Sequence, residues 1–367
     1  MLGTSTPRDT PTREPASTAA FSFLSWADAG LVAAARGAGP DVESALSLAR
    51  GLGPVSARLG TSTWTYLQVL ASLGAGDLTV ARVVEPHLDA LTILDQATSA
   101  DAVIPDDGSR AGLVVPTPAP GSTWGVYAAH APGAHLRASV GAAGWTLTGT
   151  KPWCSLAGDV SHAIITAHVD EHRRRAFAVD LSHPGVHLSD SPWVSRGLVG
   201  VRSTGIHLDA VPAVPVGPAG WYLSRPGFAW GGVAVAAVWF GAASALAQSV
   251  LDGARRREPD QIATLHLGRL DGALRAAELE LRAAAHAIDE GLAAGPVGEL
   301  VAARARNAAA AAGELALSEV ARALGPAPLT ADEEHARRVA DLTVYVRQHH
   351  GDRDLARTGI LLVGGQR

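Results

Sequence analysis

The hydrophobic period of this chain switches twice, from helical spacing to strand spacing and back again. Between residues 21 and 100, apolar side chains recur at helical intervals over 27–35, 41–52, 63–73 and 79–97. Asp41 and Asp77 stand where helix starts need a side-chain acceptor, and Pro86 is expected to kink or divide the fourth segment. From 112 to 219, short runs rich in Val, Ile, Thr and Trp alternate with Gly, Pro, Asp and Ser. The runs 112–115, 124–129, 136–140, 145–148, 163–168, 175–179 and 204–208 read as strands. Their frequent turn signals favour closure as an antiparallel barrel or sandwich. Helical spacing then returns over 228–256, 261–292, 298–324 and 330–350, separated by Gly and Pro. Four long segments with short connections read as an up-down bundle. The expected organisation is α+β: a tail over 1–17, a helical domain over 18–111, a β-domain over 112–220 and a four-helix bundle over 221–367.

Composition narrows the function. Apolar residues make up 47% and charged residues 18% of 367, enough for a large core. A net charge of −5 without a basic patch argues against nucleic-acid binding. The Arg173–Arg175 and Arg255–Arg257 runs are short and read as a solvated turn and helix end. One cysteine, Cys154, allows no internal disulfide and fits a reducing cytoplasm. The apolar run 228–250 is rich in Ala and Gly and lacks aromatic and basic anchors on both sides, so a buried bundle helix is expected rather than a membrane span.

The segment Gly149-Thr150-Lys151-Pro152-Trp153-Cys154-Ser155 follows a strand and places a Trp and a hydroxyl two residues apart. It resembles the Gly-x-Lys-x-Trp-(Ile/Cys)-(Thr/Ser) motif of the acyl-CoA dehydrogenase family. The helix, strand, helix order over about residues 20–360 resembles that family too, with its N-terminal helical domain, central barrel and C-terminal bundle. The resemblance implies FAD between β-domain and bundle, with the AMP end crossing to a neighbouring subunit. It implies Trp153 against the flavin ring and Ser155 near flavin N5, and backbone contacts to the flavin from Val126 and Tyr127. Arg256 falls near the family's pyrophosphate Arg, and Gly325 near its Gly-rich turn toward the partner's cofactor. The family's Thr-Glu-Pro and Gly-Ser-Asp motifs are not legible here. Trp230 and Trp239, on the helix that would face the flavin, would narrow an acyl pocket.

The catalytic base departs from the family. Most members carry a Glu eight residues after the Asp of an Arg-Asp pair. Here that Asp is Asp341, Ala340 replaces the Arg, and the counted position holds His349, followed by His350. The alternative family position, on the first bundle helix, falls at about Gly231, with no carboxylate nearby on that helix. Three readings follow from the resemblance. In the first, a homodimeric or homotetrameric flavoprotein oxidises an acyl thioester at Cα–Cβ with His349 or His350 as base, and electrons pass to an electron-transfer flavoprotein. A neutral His, with an ordinary pKa of about 6.5, suits that role. In the second, a monooxygenase of the same fold uses His349, His350 and Asp352 with reduced flavin and oxygen. In the third, the chain is a non-catalytic paralogue. The plain structural reading of both His residues is a polar helix end.

Overall fold

A computed structural model of the chain describes residues 21–98, 116–256 and 258–364. The expected tail over 1–17 and strand over 112–115 lie outside these. The first helices are α1 (Ala29–Ala38), α2 (Val42–Leu52), α3 (Thr63–Gly76) and α4 (Leu78–Ala97). Asp28, Asp41 and Asp77 cap α1, α2 and α4, each accepting a backbone N–H in the first turn. α4 runs through Pro86 without a break. Proline removes one ladder bond, and the carbonyl four residues earlier, that of Arg82, loses its donor. Burial along both flanks of the helix holds it together.

Among the described residues seven strands follow: β1 (Trp124–Tyr127), β2 (Leu136–Gly141), β3 (Gly144–Lys151), β4 (His162–His168), β5 (Arg174–Asp180), β6 (Val186–Leu188) and β7 (Ile206–Val216). β4, β2, β3, β7 and β5 close into a ring through β4–β5, while β1 adds to β4 and β6 to β7. The barrel is mostly antiparallel, but β1–β4 and β2–β4 pair parallel. β7 extends well past the expected 204–208, through Pro212 and Pro215, by exchanging β3 for β5 as partner along its length. At Gly149, φ is +120° and a Cβ would meet the His135 carbonyl oxygen, so the β3 bulge there requires glycine.

After the short α5 (Trp221–Ser224), the long helices α6 (Pro226–Arg255), α7 (Gln261–Asp289) and α8 (Gly295–Leu324) pack together, with α3 also laid along α6. Gly74 and Gly241 let α3 and α6 touch backbone to backbone: a Cβ on either would strike a carbonyl oxygen of the other helix. α6 is long and apolar enough to cross a membrane, but 83% of its most apolar window is buried inside the protein. The fourth segment, expected as one helix over 330–350, is divided. Asp332 caps a new helix, so α9 (Ala327–Ala331) ends and α10 (Glu333–Tyr345) begins. A tight turn over 346–348 follows, Gly351 adopts a φ of +59°, and α11 (Asp352–Leu362) leaves in a new direction. α10 takes the fourth place against α6, α8 and α4.

Candidate active site

The segment after β3 is held on both sides. Lys151 is buried and its Nζ donates to the Thr166 carbonyl and hydroxyl at 2.7 and 2.8 Å. Burial lowers its pKa to about 8. The N–H groups of Cys154 and Leu156 donate to the carbonyls of Thr204 and Arg202, both at 2.8 Å. Between these anchors Trp153 adopts a φ of +57° and is 59% exposed. A bulky residue in the left-handed region is strained, and the strain here presents a large aromatic face outward. The buried Cys154 thiol is pushed up to about 12 by desolvation, as a packing residue would be.

Ser155 faces the helices. Its Oγ accepts from Arg82 Nη2 at 3.1 Å and lies 2.7 Å from Ser203 Oγ. Ser203 donates its own proton to the Val201 carbonyl, so Ser155 is the donor of that pair. Tyr127 reaches the same segment from β1, donating its hydroxyl to the Ser155 carbonyl at 3.0 Å. Val126 is half-buried beside it, and among the described residues β1 pairs with β4 alone. Ser155, Tyr127 and Val126 therefore gather with Trp153 at the seam between barrel and helices.

The helical side of the seam is one face of α4. Arg82, Glu85 and Asp89 stand at helical spacing in a helix that is otherwise mostly buried and apolar. Arg82 Nη1 is 3.7 Å from Glu85 Oε2, and Arg225 Nη2 is 3.8 Å from Asp89 Oδ1. Neither is a hydrogen bond. Desolvation raises Glu85 to about 7, Arg82 opposing and Asp89 adding to the shift, and it also raises Asp89. Tyr66 of α3, Tyr222 of α5 and Tyr345 of α10 surround the two carboxyls, and burial raises each phenol. Trp239 of α6 is fully buried edge-to-face against Tyr345, with the Arg306 guanidinium 5.0 Å over its ring. Sequence reasoning missed Glu85 and Asp89. Their signal was two carboxylates and an Arg at i, i+3 and i+7 in an otherwise apolar run.

The two histidines are placed differently from the expectation. His349 Nε2 donates to Asn307 Oδ1 at 2.8 Å, since the Asn307 amide nitrogen is used on Thr358. Its Nδ1 accepts the Gly351 N–H at 3.2 Å. Desolvation lowers its pKa, so the ring is neutral with both nitrogens engaged and no lone pair to take a proton. His350 is exposed and sits 3.4 Å from Asp354 at the start of α11. Asp341 accepts the Leu198 N–H at 2.5 Å, pinning a barrel loop to α10, and burial raises it to about 6.

No protein-family model matches the sequence, and no curated protein matches it. Solved structures do. Butyryl-CoA dehydrogenase from Megasphaera elsdenii superposes with a TM-score of 0.74 at 18% identity, over 93% of this chain and 96% of that one. The fold is that of the acyl-CoA dehydrogenases. Dibenzothiophene monooxygenase (TdsC) from Paenibacillus sp. A11-2 matches it at 0.71 and 16% identity, over 91% and 95%. Nitrososynthase from Micromonospora carbonacea var. africana matches at 0.72 and 18%, over 90% and 94%.

In this acyl-CoA dehydrogenase fold, the remaining expected residues lie apart from the seam. Arg256 is exposed at the end of α6, seventeen residues beyond Trp239, about 25 Å at 1.5 Å per residue. Gly325, with a φ of +67°, ends α8 beside it, its N–H donating to the Ala321 carbonyl. Within one chain neither belongs to the site of Trp153 and Ser155. Trp230 is also spent elsewhere, its Nε1 donating to the Ala293 carbonyl at 2.8 Å.

Proposed function

We propose that the protein is a flavin-dependent oxidoreductase, with the ring of FAD against Trp153 and Ser155 and the substrate between that ring and α4. The observation that carries this is Trp153: an exposed indole, held at strained φ at the seam, beside a hydroxyl anchored by Arg82. These residues fit a flavin ring: an aromatic face to cover it, the outer backbone edge of β1 to meet its polar rim, and a nearby cation. A bound flavin supplies the acceptor for a hydride. The chain's own part is to cover the ring with Trp153, to orient it by Ser155 and β1, and to exchange a proton through a buried acid. Arg256 and Gly325 serve a cofactor in this reading only across a subunit boundary, which supports a homodimer or homotetramer.

The reaction favoured is oxidation of an acyl thioester at Cα–Cβ, with electrons passed to an electron-transfer flavoprotein. It requires a base at the seam, and Glu85, near neutral in pKa, supports it where His349 does not. The second reading, monooxygenation, draws support from the polar character of the cluster around Glu85 and Asp89, which differs from an aliphatic pocket, and from the FMN-bound TdsC of the same fold. Anaerobic mixing of the flavin-loaded protein with butyryl-CoA separates the two. Bleaching of the flavin supports dehydrogenation. No bleaching, with oxygen consumed by the pre-reduced protein, supports the second reading. Neither response leaves the non-catalytic reading in possession.

A further inference from the structure

Among the described residues, five polar atoms sealed around the α4 face lack any hydrogen-bond partner: Tyr66 Oη, Asp89 Oδ1, Arg225 Nε, Trp239 Nε1 and Tyr345 Oη. Tyr66 and Trp239 are fully buried and Arg225 is 5% exposed. Buried polar groups are nearly always paired, and each orphan costs about 1–3 kcal/mol. Gathered on one face of a helix, such orphans are groups whose bonding a water, an ion or a ligand completes. Arg225 Nε and Trp239 Nε1 only donate, the Asp89 carboxylate oxygen only accepts, and the two phenols can do either. A hydroxyl satisfies both kinds, since it accepts from Tyr66 or Arg225 and donates to Asp89.

Glu85 stands between this cluster and the seam. The groups facing it are Arg82 and Asp89 on α4, Tyr66 on α3, Tyr222 on α5, Tyr345 on α10 and Arg306 on α8, while Arg225 at the start of α6 faces Asp89. Arg82 links it to Ser155, so one guanidinium separates the carboxyl from the hydroxyl at the ring. We infer that Glu85 is the acid–base residue of this site and that Tyr66, Asp89 and Arg225 bind a hydroxyl on a short acyl substrate. The inference rests on the flavin reading for where the reacting carbons lie. In the step, a C–H bond next to the thioester carbonyl gives its proton to the Glu85 carboxylate. A flavin bound at Trp153 and Ser155 would accept the neighbouring hydrogen as hydride, so that two electrons would leave the substrate with it and a C=C bond would remain. A carboxyl poised near neutral pH suits that exchange.

The test titrates the flavin-loaded protein anaerobically with 4-hydroxybutyryl-CoA and butyryl-CoA, following flavin absorbance. The hydroxylated probe is expected to bind at least about 10-fold more tightly. Equal or weaker binding, or no perturbation by either probe, overturns the assigned substrate class. Glu85→Gln is expected to bind the same probe but to bleach at least about 100-fold more slowly. It should also lose the break near pH 7 in the wild-type rate profile, and Glu85→Asp should restore part of the rate. Unchanged bleaching in Glu85→Gln overturns the role of Glu85. If wild type retains no flavin, the underlying reading has failed instead. Infrared spectroscopy of the flavin-free protein then still decides on the carboxyl itself: a carboxylic-acid carbonyl band that titrates near pH 7 and vanishes in Glu85→Gln upholds a proton exchangeable at that pH, and its absence overturns the role of Glu85.

Discussion

Two buried glutamates in this molecule meet opposite surroundings. Glu319 of α8 is 1% exposed, and His266, Arg269 and Arg322 reach its carboxylate at 2.7, 3.4 and 3.0 Å. The His266 hydrogen bond leads in holding its pKa below the usual range. Glu85 is nearly as buried, yet its closest cation is 3.7 Å away, a second carboxyl stands one turn along, and its pKa rises to about 7. Paired carboxylates ionise and lock helices together. A poorly paired one stays able to trade its proton, which is wasteful for stability and useful for chemistry.

The comparison breaks most readily at turnover. Glu85→Gln should cost at least about 100-fold in rate while leaving the folded protein and its flavin intact, whereas Glu319→Gln should leave the rate within about 3-fold. Equal rate losses in steady-state assays erase the distinction. Next in size is the pH dependence of stability. The folded pKa of Glu85 lies above its unfolded value, so its contribution is fully present below about pH 4.5 and is lost as pH rises through about 7. Over that window wild type should lose roughly 3 kcal/mol relative to Glu85→Gln in denaturant titrations. A constant difference refutes the raised pKa. Glu319→Gln should lower stability by about 2 kcal/mol at pH 7, a loss that a double mutant with His266→Ala shows to be shared. The smallest effect belongs to His349→Ala. Breaking its link to Asn307 should cost about 1 kcal/mol by thermal melting and less than about 3-fold in rate. A large rate loss restores His349 as the base.

Much of the fold was legible because periodicity reports which faces are buried. Helices α1 to α4 and α6 to α8, and all six strands expected among the described residues, start within a few residues of their expected positions, and only the short β6 was not expected. The last helix was not, because Asp332 and Gly351 cut a run whose apolar spacing continues across both breaks. That error carried into the site. Counting eight residues from Asp341 assumes one continuous helix, and the chain leaves helical geometry after Tyr345, which points His349 at Asn307 instead. Trp153 and Ser155 were readable because a local motif sets them. Glu85 and Asp89 were not, because charged residues on one face of an amphipathic helix ordinarily face water. Only the packing of α3, α5, α6 and α10 over that face makes them buried.

The measurement that tests the account most directly is the visible spectrum of the purified full chain after incubation with FAD or, separately, FMN and gel filtration, alongside Trp153→Ala and Ser155→Ala. The account predicts a retained flavin band in wild type and at least about 5-fold weaker binding in Trp153→Ala, since an aromatic stacking face contributes about 1 kcal/mol or more. A colourless wild type that excludes both FAD and FMN contradicts it, leaving an acyl-CoA dehydrogenase fold without its cofactor.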